Sequence, residues 1–155
     1  MTTAFDSWIK MMEVGNHEGL WELLDPDCVF WSPIVHTPQE GRQISHAYLS
    51  AAGHVFKDGF HYTRTAIDGD YGVFEFECAM DGIKVNGVDI ITLKENLIIE
   101  FKVMVRPLKA TNMVHQKMRK TPRPLQTRTR KRKLEVETRR TRRKVVTRRK
   151  RRRKV

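Results

Sequence analysis

The stretch Val85–Pro107, VNGVDIITLKENLIIEFKVMVRP, decides how this chain folds. Two runs rich in β-branched residues flank the polar break Lys94-Glu95-Asn96, and the first run carries one carboxylate, Asp89, between Val88 and Ile90. Runs of this kind read as the two strands of a hairpin. The length of the connection then sets the faces, because a change of one residue moves every side chain of the partner strand to the other side. A two-residue turn at Glu95-Asn96 pairs Asp89 with Lys102, a solvated cross-strand ion pair. A three-residue connection, Lys94 to Asn96, pairs Asp89 with Phe101 on a face shared with Ile91, Leu93, Ile99, Val103 and Val105. The second reading is preferred. It gathers the apolar residues on one side, sends Glu100, Lys102 and Arg106 to the other, and puts Asn96 where a left-handed residue is needed.

The preceding hairpin gives an independent check. Asp81-Gly82, between VFEFECAM and IKVNGVDII, is a strong two-residue turn signal. Pairing Met80 with Ile83 puts Phe74 opposite Asp89, with Phe76 and Cys78 on the same face and Glu75 and Glu77 on the other. Both hairpins place Asp89 on the apolar face.

Working outward toward the N-terminus, Phe5, Trp8, Ile9 and Met12 recur at helical spacing behind Thr3, a helix over residues 4–14 that Gly15 and Asn16 end. His17 to Leu24 reads as a second short helix burying Leu20, Leu23 and Leu24, stopped at Asp25-Pro26. Cys28 to Ser32 reads as a strand, Arg42 to Val55 as a third helix, and Phe60 to Ala66 as a further strand after Lys57-Asp58-Gly59. The order is helices interleaved with one strand, then four consecutive strands: an α+β plan with three N-terminal helices covering one face of a curved antiparallel sheet.

The 155 residues suit one domain, but 39% hydrophobic residues is low for a fully globular chain of this length. Charge explains the shortfall. Residues 1–116 hold 9 Lys and Arg against 16 Asp and Glu, a net of −7, and residues 117–155 hold 21 against 2, a net of +19. The body is acidic and the tail carries the high isoelectric point. Cys28 and Cys78 lack metal-type spacing and read as free buried thiols in a reducing compartment. The six histidines show no paired ligand spacing, so neither a metal nor another cofactor is expected. His61 begins a strand within reach of a pocket mouth, but a surface or hydrogen-bonded histidine is the favoured reading there. No apolar run of about 18 residues or more exists, and the N-terminus lacks a secretory pattern, so a cytoplasmic location without a membrane span is expected.

With these motifs placed, the chain resembles the nuclear transport factor 2-like, or SnoaL-like, α+β cone domains. The resemblance rests on WELLDPDCVFWSP, on FEFECAMDGIKVNGVDIITL and on EFKVMVRPLKA, and covers roughly residues 4–110. It implies a cone domain over residues 1–110, a pocket between helices and sheet for a small apolar molecule, isomerase, cyclase or hydrolase-type chemistry in some members, and a homodimer through the outer sheet face. Within the family, ketosteroid isomerases use a carboxylate base with a tyrosine and a protonated aspartic acid. Laid over this chain, Asp89 matches the aspartic acid, Trp8 falls at the tyrosine and Ser32 at the base. A serine without a neighbouring base cannot take a proton from carbon, and an indole is a far weaker acid than a phenol. Steroid-isomerase chemistry in that form is therefore not expected, and whether the chain is an enzyme stays open. Trp31, Phe56, Phe74, Phe76 and Phe101 join Trp8, Ser32 and Asp89 as candidate ligand contacts. Two readings of Asp89 remain: a desolvated carboxyl that hydrogen-bonds a ligand, or a structural acid satisfied within the protein.

Residues 111–155 form the tail. Thr111 to Lys120 extends as a short helix, Thr121-Pro122-Arg123-Pro124 breaks it, and TRTRKRK, TRRTRRK and TRRKRRRK follow with no apolar period. Such a block is expected to be disordered in isolation. Its clusters, Arg130, Lys131, Arg132 and Lys133, then Arg148, Arg149, Lys150, Arg151, Arg152 and Arg153, suit RNA or DNA through counterion release and, in a eukaryote, a nuclear or nucleolar address. A non-catalytic dimeric scaffold with a nucleic-acid-binding tail is the alternative function. An appendage without selected function is the other reading of the tail, and the sequence favours neither.

Overall fold

Helix α1 (Ala4–Val14) starts where the sequence places it, because Thr3 and Asp6 cap it reciprocally: the Thr3 Oγ1 accepts from Asp6 N at 3.1 Å and the Asp6 Oδ2 accepts from Thr3 N at 2.9 Å. Gly15, left-handed at φ 69°, ends it. These features come from a computed structural model that describes residues 2–120. Helix α2 is only Leu20–Leu23, shorter than the expected His17 to Leu24. Gly19 at φ 87° starts the helix late, and Leu24 is already extended, opening strand β1 (Leu24–Trp31). Leu20 and Leu24 are nonetheless fully buried. Strand β2 (Gln39–Glu40) and helix α3 (Arg42–Val55) follow, the helix with the bounds read from the sequence.

Strands β3 (Asp58–Asp68), β4 (Tyr71–Met80), β5 (Ile83–Lys94) and β6 (Leu97–Arg106) complete a six-stranded sheet of order β2-β1-β6-β5-β4-β3. All neighbours run antiparallel except β1 and β6, which pair in parallel. One face carries Phe74, Phe76, Cys78 and Met80 of β4, Val85 and Ile91 of β5 and Phe101 of β6, all buried against Phe5 and Trp8 of α1 and Leu49 of α3. Register shifts in the β1, β3 and β6 pairings bend the sheet around these helices. Helix α4 (Leu108–Lys120) buries Ala110 and Val114 in the same core. Among the described residues no helix is long and apolar enough to cross a membrane.

The register is where sequence and structure differ in an informative way. The β4–β5 hairpin is as read, with Met80 opposite Ile83 and Phe74 opposite Asp89. In β5–β6 the connection is the two-residue turn rather than the three-residue one: Lys94 pairs with Leu97, and Glu95 and Asn96 are both left-handed, at φ 51° and 60°. The ladder then slips by one between Leu93↔Ile98 and Thr92↔Glu100, leaving Ile99 as the extra residue. The slip returns Asp89 to the inner face, opposite Val103 instead of the expected Phe101, which pairs with Ile91. Ile98 rather than Ile99 becomes the buried residue next to the turn.

The turn also anchors α1, since the Asn96 Oδ1 accepts the Ala4 backbone N–H at 2.8 Å. Glu95 holds a left-handed conformation that asparagine tolerates better. Glu95→Asn in the full-length chain is expected to raise unfolding free energy by about 0.5–1 kcal/mol, and Asn96→Ala to lower it by about 1–2 kcal/mol through the lost cap and added strain, both read from urea unfolding midpoints.

Candidate functional site

Asp89 is 4% exposed in the middle of β5, walled by aromatic side chains. Polar company reaches it from two other elements. Tyr62 of β3 donates its O–H to the Asp89 Oδ2 at 2.7 Å, and the Trp8 Nε1–H of α1 donates to the Tyr62 oxygen at 2.7 Å. The chain Trp8–Tyr62–Asp89 thus joins α1, β3 and β5 across the row of Phe74 and Phe76 on β4. Tyr62 stands opposite Phe76 in the ladder, and its ring lies 5.8 Å from that of Phe74. Gly87, opposite Phe76, leaves room for the phenyl ring, which would lie 2.2 Å from any Cβ built there.

Beside Asp89 is a cavity of about 20 Å³. Trp8 and Met12 of α1, Leu49 of α3, and Phe56, Phe60, Phe76 and Phe101 form its walls, and among the described residues Asp89 is the only ionisable side chain lining it. Burial pushes the Asp89 carboxyl up to about 7, against the opposing pull of the Tyr62 and Trp8 hydrogen bonds. Burial also raises the Tyr62 phenol well above its ordinary value, helped by the negative charge and hydrogen bond of Asp89. Near neutral pH Tyr62 keeps its proton and Asp89 is close to its midpoint in an apolar setting, an arrangement suited to donating or accepting a hydrogen bond at a ligand oxygen.

Of the residues singled out from the sequence, the structure brings Trp8, Phe56, Phe76, Phe101 and Asp89 together at this cavity. Phe74 is packed in the core between Phe5 and Tyr62. Trp31 pairs with Lys102 in the β1–β6 ladder, and the Lys102 ammonium lies 5.2 Å from its ring centroid. That puts it on the opposite face from Phe30 and Phe101, away from the cavity. Ser32 also lies off the cavity wall: its Oγ accepts the backbone N–H groups of Ile34 and Val35, at 3.1 and 3.4 Å, and shapes the loop after β1. His61 is exposed and bonds the Gly59 carbonyl. The basic clusters at residues 130–133 and 148–153 lie outside the described residues. Among the described residues no group of three or more His, Cys, Asp or Glu gathers around a common point.

Tyr62 is the residue bonded to Asp89 that the sequence reading does not single out. The signal was the alternation of Phe60 and Tyr62 with the polar His61 and Thr63, which marks an inward phenol on the strand next to Phe76.

These features define an α+β domain with one carboxyl buried in an apolar cavity between helices and sheet. The sequence profile of the SnoaL-like domain matches residues 5–101, and the chain belongs to that family. Among solved structures it is similar to a steroid delta-isomerase from Pseudomonas aeruginosa, 30% identical over 74% of this chain and 85% of that one, with a TM-score of 0.70. It is similar to the same degree, 30% identity and TM-score 0.70, to an uncharacterised bacterial protein with a cystatin-like fold from Silicibacter pomeroyi, covering 75% of this chain and 82% of that one. A putative polyketide cyclase from Sinorhizobium meliloti shares the fold at 15% identity and TM-score 0.54, over 65% of this chain and 93% of that one. No curated protein sequence matches the chain.

The raised carboxyl makes stability depend on pH with a definite sign. The folded state holds the Asp89 proton more tightly than the unfolded state, so the stabilisation is complete below pH 3.8 and is lost as pH rises through about 7. The full swing is on the order of 4 kcal/mol. Wild type should therefore lose stability relative to Asp89→Asn between about pH 4 and 7, by up to about 1.4 kcal/mol per pH unit, and the difference should level off above that window. Paired urea titrations across this range measure it.

Proposed function

We propose that the domain binds a small, mostly apolar molecule carrying a carbonyl or ether oxygen, which accepts a hydrogen bond from neutral Asp89. The observation that carries this reading is that, among the described residues, Asp89 is the single ionisable group in an otherwise aromatic and aliphatic cavity. A ligand buried there finds apolar contact everywhere except at one point, so its own polar atom is held at that point. The cavity of about 20 Å³ has room for about one water, so a ligand enters by displacing flexible side chains, Met12 first among them.

The similarity to a steroid delta-isomerase supports the ligand class. It does not carry over a two-group mechanism, because the Ser32 oxygen is engaged by the loop and no second carboxyl among the described residues lines the cavity. A single carboxyl with a pKa near neutrality suits a reaction in which one group both takes and returns a proton, and isomerisation belongs to that class. The net charge of +19 over residues 117–155 supports a second activity, salt-sensitive binding of RNA or DNA, which deletion of that segment removes while leaving the cavity intact. A homodimer through the outer sheet face is part of the same proposal.

Binding of a matched series, an aromatic ketone, its alcohol and its hydrocarbon, tests the reading by thermal shift and titration calorimetry. The ketone should bind best, with affinity falling about tenfold per pH unit above about 7, and Asp89→Leu should weaken it about tenfold or more. Equal binding of ketone and hydrocarbon, with no pH dependence, would contradict the proposal.

A further inference from the structure

We infer that Trp8 is a positioning residue: by occupying the Tyr62 oxygen it fixes the direction of the Trp8–Tyr62–Asp89 hydrogen-bond chain, and so confines the proton of neutral Asp89 to Oδ1. The inference rests on reading Asp89 as the ligand-facing carboxyl and adds what controls the direction in which it donates.

The argument follows from what each group is able to do. An indole N–H only donates, so the 2.7 Å contact has one polarity, with the Tyr62 oxygen as acceptor. The Tyr62 hydrogen then has one acceptor at hand, the Asp89 Oδ2 at 2.7 Å. With that hydrogen already in the gap, Oδ2 cannot direct a second hydrogen at Tyr62, because the two would collide. The acid proton settles on Oδ1, the oxygen that Tyr62 does not engage, because a carbonyl oxygen is the better acceptor for the phenol; Oδ1 belongs to a side chain bordering the cavity. Oδ2 remains the carbonyl oxygen and receives Tyr62.

A residue at position 8 that both donates and accepts, or that does neither, would release this constraint. With the Tyr62 lone pair free, neutral Asp89 gains a second arrangement, donating from Oδ2 to Tyr62 and turning its proton away from the cavity. Trp8 is held for its role by packing: it is 2% exposed, and its ring meets that of Phe101 edge-on at 4.7 Å. The donor thus has a fixed place, and the order of the chain is built into the core.

The test needs no ligand, so its failure is distinct from failure of the binding proposal. In the full-length chain, Trp8 is replaced by the indole analogue in which sulfur takes the place of N–H, which keeps the bicyclic shape, and in parallel by phenylalanine, Trp8→Phe. The infrared carbonyl band of protonated Asp89, assigned by its loss in Asp89→Asn, is recorded about two pH units below the midpoint of its titration. In wild type that carbonyl is hydrogen-bonded to Tyr62. Removal of the indole N–H should shift the band to higher wavenumber, as Oδ1 becomes a bare carbonyl, and raise the Asp89 midpoint by about half a unit or more. An unmoved band overturns the inference. So does a raised midpoint with an unmoved band, which would mean that Trp8 acts on Asp89 only through its field and its packing.

Discussion

A carboxyl held away from water must either give up its charge or find donors, and Asp89 does part of each. Its place in the inner row of β5 removes it from solvent, and Tyr62 donates to it at 2.7 Å with the Trp8 indole close behind. Three elements distant in sequence are tied together through two hydrogen bonds: a helix from the first residues, an edge strand, and a central strand. The same contacts leave a proton-binding midpoint of about 7 on a group facing an apolar cavity. Fold and candidate chemistry depend on the same contacts, and pH couples them.

Asp89 faces inward only because two irregularities cancel. The left-handed pair Glu95-Asn96 closes a two-residue turn, which in an unbroken ladder would set Asp89 against Lys102 on the outer side. One extra residue, Ile99, restores the parity. The hydrophobic pattern makes the face legible, since a register of the opposite parity would part Ile91 from Phe101 and Val103. The partner residue was not legible, because a bulge in a run of apolar residues leaves no local mark. The Asp81-Gly82 hairpin, with its unambiguous turn residues, came out with the register that the sequence dictates.

Similar limits apply to the site. Asp89, Phe76 and Phe101 were readable from strand alternation, and Trp8 and Phe56 from helix spacing and position. Trp31 and Ser32 follow Phe30 on one strand, where alternation sends Phe30 inward and Trp31 outward. Resemblance to isomerases drew attention to position 8 as a replacement for a tyrosine, while the phenol beside Asp89 comes from β3. Tyr62 escaped notice because its contact spans 27 residues and because β3 is interrupted twice by register shifts around it. Long-range hydrogen bonds between apolar-looking strands are the part of a site that a single sequence hides best.

Membership of the SnoaL-like family accounts for the helices over a curved sheet and for a cavity at their junction. Beside that cavity a carboxyl, a phenol and an indole stand in a fixed order. The most direct measurement is the titration of the Asp89 side-chain carboxyl by carbon-13 NMR in the full-length protein, with Asp89→Asn for assignment. A midpoint near 7, displaced further upward in Tyr62→Phe as the donor is removed, is the expected result. A midpoint near the ordinary aspartate value of about 4, unmoved by Tyr62→Phe, would mean that Asp89 is a solvated strand residue and would contradict both the site and the function drawn from it.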